Sequence, residues 1–245
     1  ADGELRLCGG TWYTNITVDT ATVAITDDYG SATIDGSLEG PVVTALDADL
    51  TVENVTLTGG FDTYGGGLLV SASAVTLDTV ILIDNDATTA GGSLYIDDST
   101  VSLTDVTVTD SSAPIGGGIA AVDSVLAFDG SDVSDNAADT YGGGMYFEDS
   151  VVDFYASSAD DNTVTEYGGA VYLYDADMLV ESASVTGNVA GYEGSGFYID
   201  LYGDLSVVSS SVTNSYDDAV TWLGLSYTTT TTSAVDFDCN ELICE

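Results

Sequence analysis

Basic residues are almost absent from this sequence, which has one arginine, no lysine and no histidine among 245 residues. Aspartate and glutamate number 41, so the formal net charge is −40 at pH 7. Proteins that bind nucleic acid or an anionic lipid surface neutralise phosphates with lysine and arginine. The composition therefore argues against both partners, and it favours divalent cations as partners or a medium of high salt.

Long apolar runs are also lacking. No stretch of about 18 residues is apolar enough to cross a bilayer as a helix, so we expect no membrane insertion. The sequence starts Ala1-Asp2-Gly3-Glu4, which fits a mature terminus left by cleavage behind a small residue. We therefore expect a secreted protein, extracellular or at the cell surface.

A glycine motif recurs along the chain at an almost constant step. The first glycines of its copies are Gly65, Gly91, Gly116, Gly142, Gly168 and Gly194, separated by 25 or 26 residues. So regular a step is typical of a repeat architecture. A unit of about 26 residues cannot bury its own apolar side chains, so the units must stack into one continuous core.

Each unit is predicted to contain three short strands, for example at 145–148, at 151–155 and near 156–159, followed by a turn and a loop back to glycine. No window repeats its apolar residues with helical spacing, whereas β-branched residues and glycine are abundant. These features predict an all-β fold, a right-handed parallel β-helix of about 26 residues per turn with roughly nine turns. Its length would be roughly 45 Å.

The first strand of the aligned units carries two apolar columns, two positions apart, which should both face inward. One is Leu68, Leu94, Ile119, Met145, Val171 and Phe197, and the other is Val70, Ile96, Ala121, Phe147, Leu173 and Ile199. The position between them holds Tyr95, Tyr146, Tyr172 and Tyr198, which we expect to face outward as a surface aromatic strip. Such a strip could stack on sugar rings, although strand tyrosines more commonly stabilise their cross-strand neighbours.

The turn after the third strand has a polar column of its own, formed by Asn85, Ser111, Asn136, Asn162 and Asn188. Stacked side-chain amides can hydrogen-bond along the solenoid axis and satisfy backbone groups that a sharp turn leaves unpaired. Asparagine also tolerates the left-handed backbone that we expect at such a turn.

The segment 162–172, which reads NTVTEYGGAVY, resembles the repeat of the chlamydial polymorphic outer membrane proteins. That repeat pairs a GGA-plus-aliphatic motif with an FxxN motif. The second motif departs from the pattern here, because 159–162 read ADDN and 185–188 read VTGN, without phenylalanine. The resemblance covers about residues 57–199. It implies a β-solenoid and, since that family includes surface adhesins and autotransporters, a function in adhesion.

One domain is predicted over residues 1–245. Residues 1–49 should form irregular N-terminal turns, residues 50–223 regular repeats, and residues 224–245 a C-terminal tail with two cysteines. Neither end carries an amphipathic helix that would cap the solenoid. Two alternatives therefore remain: loops and the tail act as caps, or the exposed strand edges pair with another copy.

The three cysteines lie near the two ends of the predicted solenoid, Cys8 at one end and Cys239 and Cys244 at the other. Ends about 45 Å apart cannot be bridged within one chain. Cys239 and Cys244 could close a local loop, which leaves Cys8 for a bond to another molecule. A bond from Cys8 to Cys239 or Cys244 of the next copy would lock a linear polymer. The alternative is a buried free thiol at Cys8.

Two columns of aspartates are the candidate metal ligands. The first is Asp84, Asp110, Asp135 and Asp161, just before the asparagine column, and the second is Asp98, Asp123, Asp149 and Asp175, after the first strand. Neighbours about 4.8 Å apart would repel each other by about 3 kcal/mol. Ca²⁺ binds carboxylate and carbonyl oxygens and could bridge them. The alternative is that each carboxylate accepts a backbone N–H of its own turn, without a metal.

Enzymatic activity is the least favoured functional hypothesis. Many parallel β-helices cleave acidic polysaccharides, and lyases of that fold resemble one another in using lysine or arginine as base and substrate clamp. This chain has only Arg6, outside the repeats. Hydrolysis by a carboxylate pair such as Asp160–Asp161 or Asp97–Asp98 is conceivable, but adjacent strand residues point to opposite faces. We therefore do not expect an enzyme.

Three functional hypotheses follow. The first is a secreted structural protein, an acidic solenoid stabilised by Ca²⁺ or other divalent cations that assembles head to tail with itself into an extracellular fibre or surface layer. The second is a cell-surface adhesin or carbohydrate-binding stalk with glycans as partners. The third is a glycoside hydrolase of the β-helix type.

Overall fold

The computed structural model describes residues 3–213 and 220–223. These residues form an all-β parallel solenoid without helices, as the repeat predicts. Three long sheets contain nine parallel strands each, close to the predicted number of turns, and a fourth sheet contains six. We number the sheets I to IV in the order in which the chain visits them after each glycine motif.

The strands of each sheet follow one another along the solenoid axis. Sheet I contains Ile16–Asp19, Val43–Leu46, Leu68–Ser71, Leu94–Asp97, Ile119–Val122, Met145–Glu148, Val171–Tyr174, Phe197–Asp200 and Val220–Leu223. Sheet II contains Gly3–Leu7, Thr22–Asp27, Asp49–Glu53, Ala74–Asp78, Thr100–Thr104, Val125–Asp129, Val151–Tyr155, Asp177–Glu181 and Asp204–Val208. Sheet III contains Gly10–Tyr13, Ala32–Asp35, Val55–Thr58, Ile81–Ile83, Thr107–Thr109, Asp132–Ser134, Ser158–Asp160, Ser184–Thr186 and Ser211–Thr213. Sheet IV contains Phe61–Tyr64, Asp86–Ala90, Ser112–Ile115, Ala137–Tyr141, Thr163–Val164 and Val189–Ala190.

The core is a continuous column of apolar side chains inside the solenoid. Strand pairing places apolar residues next to apolar residues of the neighbouring turn. In sheet I, for example, Met145 pairs with Val171 and Phe147 with Leu173. Both predicted inward columns of sheet I are fully buried. They form one cluster with the inward residues of sheets II and III. Since strand residues alternate between faces, each turn contributes apolar side chains to this core from three directions.

The prediction of three strands per turn is incomplete. The segment between the asparagine turn and the next glycine motif, expected as a loop, forms the strands of sheet IV. Its sequences, such as AADTY at 137–141, lack the β-branched alternation that indicates a strand. Register shifts interrupt this sheet, for example between Ala113 and Ile115. Pairing with the turns above and below therefore imposes the extended conformation.

The register departs from the repeat near both ends. Asp177 pairs with Asp204, one residue beyond the usual step, so this turn accommodates one additional residue. At the other end Gly3 pairs with Val23, so the first turn is shorter than the others. Near the C-terminal end Val220 pairs with Phe197, which is also a shorter step than that of the regular repeats.

Candidate functional site

Each corner of the repeats turns through a residue with positive φ. Between sheets I and II these residues include Asp98, Asp123, Asp149 and Asp175, with φ of 46–50°. Between sheets III and IV they include Asp84, Asp110, Asp135 and Asp161, with φ of 53–56°. Gly59 and Gly187 occupy the latter corner in other turns, also with positive φ. Aspartate and glycine tolerate this conformation better than most residues, so the backbone accounts for both acidic columns.

The left-handed conformation was expected at the asparagines, and that expectation is wrong. The preceding aspartate adopts the positive φ instead. This placement points the asparagine side chain inward, and all four asparagines are buried. This corner therefore uses two residues: the aspartate adopts the left-handed backbone conformation, and the asparagine that follows makes the internal hydrogen bonds.

The eight aspartates proposed as metal ligands are exposed, and the structure does not gather them into a cage. Among the described residues, no three acidic or other metal-binding side chains converge on a point where an ion could be held. The expected backbone N–H bonds to these carboxylates are also missing there, and the single side-chain contact is that of Thr109 Oγ1 with Asp110 Oδ2 at 3.2 Å. Desolvation, followed by the charges of Asp110, Asp161 and Asp132, raises the pKa of Asp135.

A ladder of buried amides runs along the corner between sheets III and IV. The Asn136 backbone N–H and Nδ2 both donate to Asn162 Oδ1, at 3.0 and 3.1 Å. Asn162 repeats this pattern with Asn188 Oδ1, at 2.9 and 3.0 Å. Ser111 takes one position, and its N–H donates to Asn136 Oδ1. The ladder satisfies backbone groups inside the solenoid that would otherwise be buried without partners.

Two further ladders are built from serine, and neither was predicted from the sequence. Between sheets I and II, the N–H of Ser73 donates to Ser99 Oγ, that of Ser99 to Ser124 Oγ, and that of Ser124 to Ser150 Oγ, at 2.9–3.1 Å. Each hydroxyl in turn donates to a carbonyl two residues earlier. Between sheets II and III, Ser131 and Ser157 make the same link. The sequence does indicate these ladders, since the serines recur at the repeat step directly after each corner residue.

The glycine motif closes the turn between sheets IV and I. Its first glycine has positive φ, 63° at Gly142. Its second lies against the next turn, because a Cβ on Gly143 would come within 2.3 Å of the Gly169 carbonyl oxygen. The third position accepts small side chains, serine at Ser93 and alanine at Ala170. The motif thus combines a left-handed turn with close backbone stacking.

The tyrosines of sheet I do not form a free surface strip. Tyr172 and Tyr198 are each only 4% exposed. The rings of Tyr141 and Tyr167, from the preceding corner, cover them, with centroids 4.6 and 4.8 Å away. Tyr95 and Tyr146 are half-buried. The four tyrosines lie on the outer face of sheet I as predicted, but the prediction that they are exposed is wrong for Tyr172 and Tyr198, because two files of tyrosines pack on each other.

Two phenols of this cluster donate hydrogen bonds to carboxylates. Tyr146 OH donates to Glu148 and Tyr172 OH to Asp200, both at 2.9 Å. Burial, followed by these hydrogen bonds, raises the pKa of Tyr146 and Tyr172. Burial also raises the pKa of Tyr198. The cluster is therefore a neutral aromatic layer on the outside of sheet I, and it supports a packing role.

In the two carboxylate pairs considered for glycoside hydrolysis, Asp160 is hydrogen-bonded to another turn, and one member of each pair lies at a corner. Asp160 Oδ1 accepts from the backbone N–H and the hydroxyl of Thr186, at 2.9 and 2.6 Å. Asp161 and Asp98 are corner residues with positive φ. The described residues therefore give no direct support to a paired acid and base.

Among the residues that the structure describes, the strands at the N-terminal end of the solenoid have one edge without a partner strand. Gly3–Leu7, Gly10–Tyr13 and Ile16–Asp19 are the outermost described members of their sheets. Two residues in the inward columns of this end, Leu5 and Trp12, remain 39% and 45% exposed.

Cys8 lies beside these strands as an exposed free thiol, not a buried one. Cys239 and Cys244 lie outside the described residues.

Comparison of the chain with models of protein families, with curated proteins and with solved structures found no match. The fold and the chemistry of the described residues therefore carry the functional argument. Within those residues, no helix is present that could span a membrane.

Proposed function

We propose that this protein is a non-catalytic structural solenoid that associates end to end with copies of itself into an extracellular fibre or surface layer. The observation that carries this proposal is the edge that the first described strands of the three long sheets present. Unpaired strand edges with exposed apolar columns favour pairing with another chain. A copy stacked there would continue all three long sheets and cover Leu5 and Trp12.

The first turn is held in the conformation that such stacking needs. The buried carboxylate of Asp27 accepts from the N–H groups of Ser31 and Ala32, at 2.6 and 2.9 Å, and from that of Gly9 at 3.4 Å. These hydrogen bonds, with the largest effect from Ser31, lower the pKa of Asp27. The corner beside Cys8 is therefore fixed, which favours a defined joint over fraying.

A disulfide belongs to the proposal as a lock on the joint. The exposed thiol of Cys8 at the open end can react with Cys239 or Cys244 of the next copy, and an oxidising extracellular medium favours such a bond. Loss of the bond under reductant would weaken the joint without changing the fold of each copy.

Cations belong to the proposal because the chain repels itself. A net charge of −40 opposes the approach of two copies. Salt screens exposed charges beyond about 8 Å at physiological ionic strength, and Ca²⁺ bridging exposed carboxylates would act more strongly than Na⁺. We propose that Ca²⁺ is the divalent cation that binds along the aspartate columns during assembly.

The test is negative-stain electron microscopy of the purified chain in 150 mM NaCl with and without Ca²⁺. We expect rods of several subunits that shorten under reductant. The double variant Leu5→Ser with Trp12→Ser should give single rods. Tyr13→Ser is the matched control, because Tyr13 is the outward neighbour of Trp12 on the same strand, and it should assemble as the unsubstituted chain does.

Single short rods in every condition would refute end-to-end assembly. Glycan-array binding by such single rods would then favour the adhesin alternative, which rests on the repeat resemblance. The covered tyrosines weaken that alternative, because Tyr172 and Tyr198 offer little ring surface to a sugar.

A further inference from the structure

The corner between sheets II and III is more varied in sequence than the two aspartate corners. Its positive-φ positions are Asn54, Thr79, Asp105, Gly130, Ala156, Ser182 and Ser209. Asparagine tolerates this conformation well. Threonine and alanine adopt it here too, so the backbone alone does not explain the asparagine at Asn54.

Asn54 begins the sequence Asn54-Val55-Thr56, which has the form of an acceptor motif for N-linked glycans. Asn54 is exposed, Val55 points into the core, and Thr56 returns to the outer face of sheet III. The chain contains a second motif of this form at Asn15. The amide of Asn15 is engaged with the neighbouring turn, because Nδ2 donates to the Pro41 carbonyl at 2.7 Å.

A depression of about 240 Å³ lies beside Asn54 on the outside of the solenoid. Its lining includes Thr56 and Ile81, which pair directly in sheet III, and then Thr107 and Asp105 of the following turn. Ile81 is 42% exposed. Relative to Asn54 it lies one turn along the axis and two residues further along the chain direction. A sugar ring on the asparagine side chain can therefore reach it.

Ile81 occupies a column that is otherwise polar. In the other described turns, the first outward position of sheet III holds Thr11, Thr33, Thr56, Thr107, Asp132, Ser158, Ser184 and Ser211. The apolar side chain thus stands in the turn directly next to the acceptor motif. Covering it with the apolar face of a sugar ring would remove apolar surface from water. The hydroxyl of Thr107 and the carboxylate of Asp105 would meet the sugar hydroxyls at the rim.

We propose that Asn54 is modified with an N-linked glycan and that its first sugar lies in this depression over Ile81. In the transfer, Nδ2 of Asn54 attacks the anomeric carbon of a lipid-linked oligosaccharide. The new C–N bond forms as the bond from that carbon to the pyrophosphate oxygen breaks. The lipid pyrophosphate leaves, and the amide nitrogen gives up one proton. The inference rests on the extracellular location in the proposed function, because this modification marks secreted chains.

The position of the site is compatible with end-to-end assembly. Asn54 follows Asp49–Glu53, the third described strand of sheet II, so it lies on the side of the solenoid and not at the first strand edge. A bulky, hydrated and neutral glycan there would hinder side-by-side contacts between rods. It would leave the edges of the first strands accessible to another copy.

The first test is mass spectrometry of the full chain, secreted by cultured insect cells behind a cleavable signal. We expect peptide mapping to find a glycan on Asn54, and both Asn54→Gln and Thr56→Val to abolish it. Thr107→Val is the matched control, because it removes a threonine of the same column that lies outside the motif. This control should retain the glycan. An unmodified Asn54, or an intact mass that Asn54→Gln lowers by no glycan, would overturn the proposal.

Hydroxyl-radical footprinting tests where the glycan lies. Oxidation of Ile81 should fall by about half or more in the glycosylated chain relative to Thr56→Val, because the sugar shields the side chain from water. Leu38, which is 64% exposed, should be labelled equally in both. Asn54→Gln supplies a second glycan-free chain if the valine variant does not fold. Equal labelling of Ile81 with and without the glycan would overturn its assigned position.

Failure of this inference is distinguishable from failure of the proposed assembly. An unmodified Asn54 in a chain that still forms rods of several subunits would remove the glycan and leave assembly intact. A chain that is glycosylated on Asn54 but forms only single rods would support the site and refute assembly.

Discussion

Asparagine and aspartate have different tasks in adjacent positions of the same corner. The aspartate takes the left-handed backbone and faces water, while the asparagine is buried and bonds to the turns on both sides. Both residue types tolerate turns, so the sequence alone could not assign the conformation to one of them. Glycine at Gly187, where no charge is present, indicates that conformation rather than acidity is the requirement.

Replacing Asn136 with alanine should destabilise the solenoid by about 2–4 kcal/mol, because the buried N–H of Ser111 and the carbonyl of Val108 each lose a hydrogen-bond partner. Asn136→Ser should cost less than half as much, since Ser111 already serves at this position. Urea unfolding of the two variants measures the difference. Equal losses would show that packing volume, and not hydrogen bonding, matters at the corner.

Replacing Asp135 with asparagine should stabilise the protein at neutral pH. The pKa of Asp135 is raised in the folded state, so folding holds its proton more tightly and stability falls as pH rises from the unfolded pKa of about 3.9 through the folded one. We expect Asp135→Asn to raise Tm by about 1–3 °C at pH 7 in low salt. At pH 3 the charge-related gain should vanish. A gain that is independent of pH would contradict this account.

At the scale of the element, the glycine motif sets the spacing between turns. Gly143→Ala should cost about 1–3 kcal/mol or more, because its Cβ would meet the backbone oxygen of the next turn and the stack must shift. Gly144→Ala is the matched control, since Ala170 fills the equivalent position. Thermal melts should show a lower Tm for the first variant than for the second. The reverse order would disprove the close-stacking role of the second glycine.

Some of these elements could be predicted from the sequence and others could not. The constant step and the columns of Leu68 and Val70 predict sheet I in register, because burial inside a solenoid imposes strict alternation. Sheet IV escapes prediction, since its strands are extended by pairing rather than by local preference. The burial of Tyr172 could not be predicted either. Alternation along a strand indicates on which face of the sheet a side chain lies, but not that Tyr141 from another strand covers it.

At the scale of the whole molecule, repulsion among the acids is weakly compensated. The described ion pairs are those of Arg6 with Glu4 and Asp28, both exposed. Isolated surface pairs contribute little, so the repeated hydrogen bonds and the apolar core hold the structure together. Counter-ions from the medium must therefore make up a large part of the electrostatic balance.

Added Na⁺ should raise Tm by screening, and Ca²⁺ at the same ionic strength should raise it further if ions bridge the aspartate columns. Differential scanning calorimetry with Ca²⁺, and then with excess chelator, measures the effect. A Tm that depends on ionic strength alone, with no difference between Ca²⁺ and Na⁺, would remove calcium from the proposed function.

The uniform pairing of successive turns has a consequence for heredity. A segment such as 143–168 comprises one complete repeat, from the second glycine of one motif to the first glycine of the next, so its loss or duplication joins one corner to an equivalent corner. Recombination between neighbouring repeats can thus shorten or lengthen the rod in whole turns of about 4.8 Å without disturbing either end. Length becomes a trait that changes in discrete steps, while the residues at the two ends stay the same.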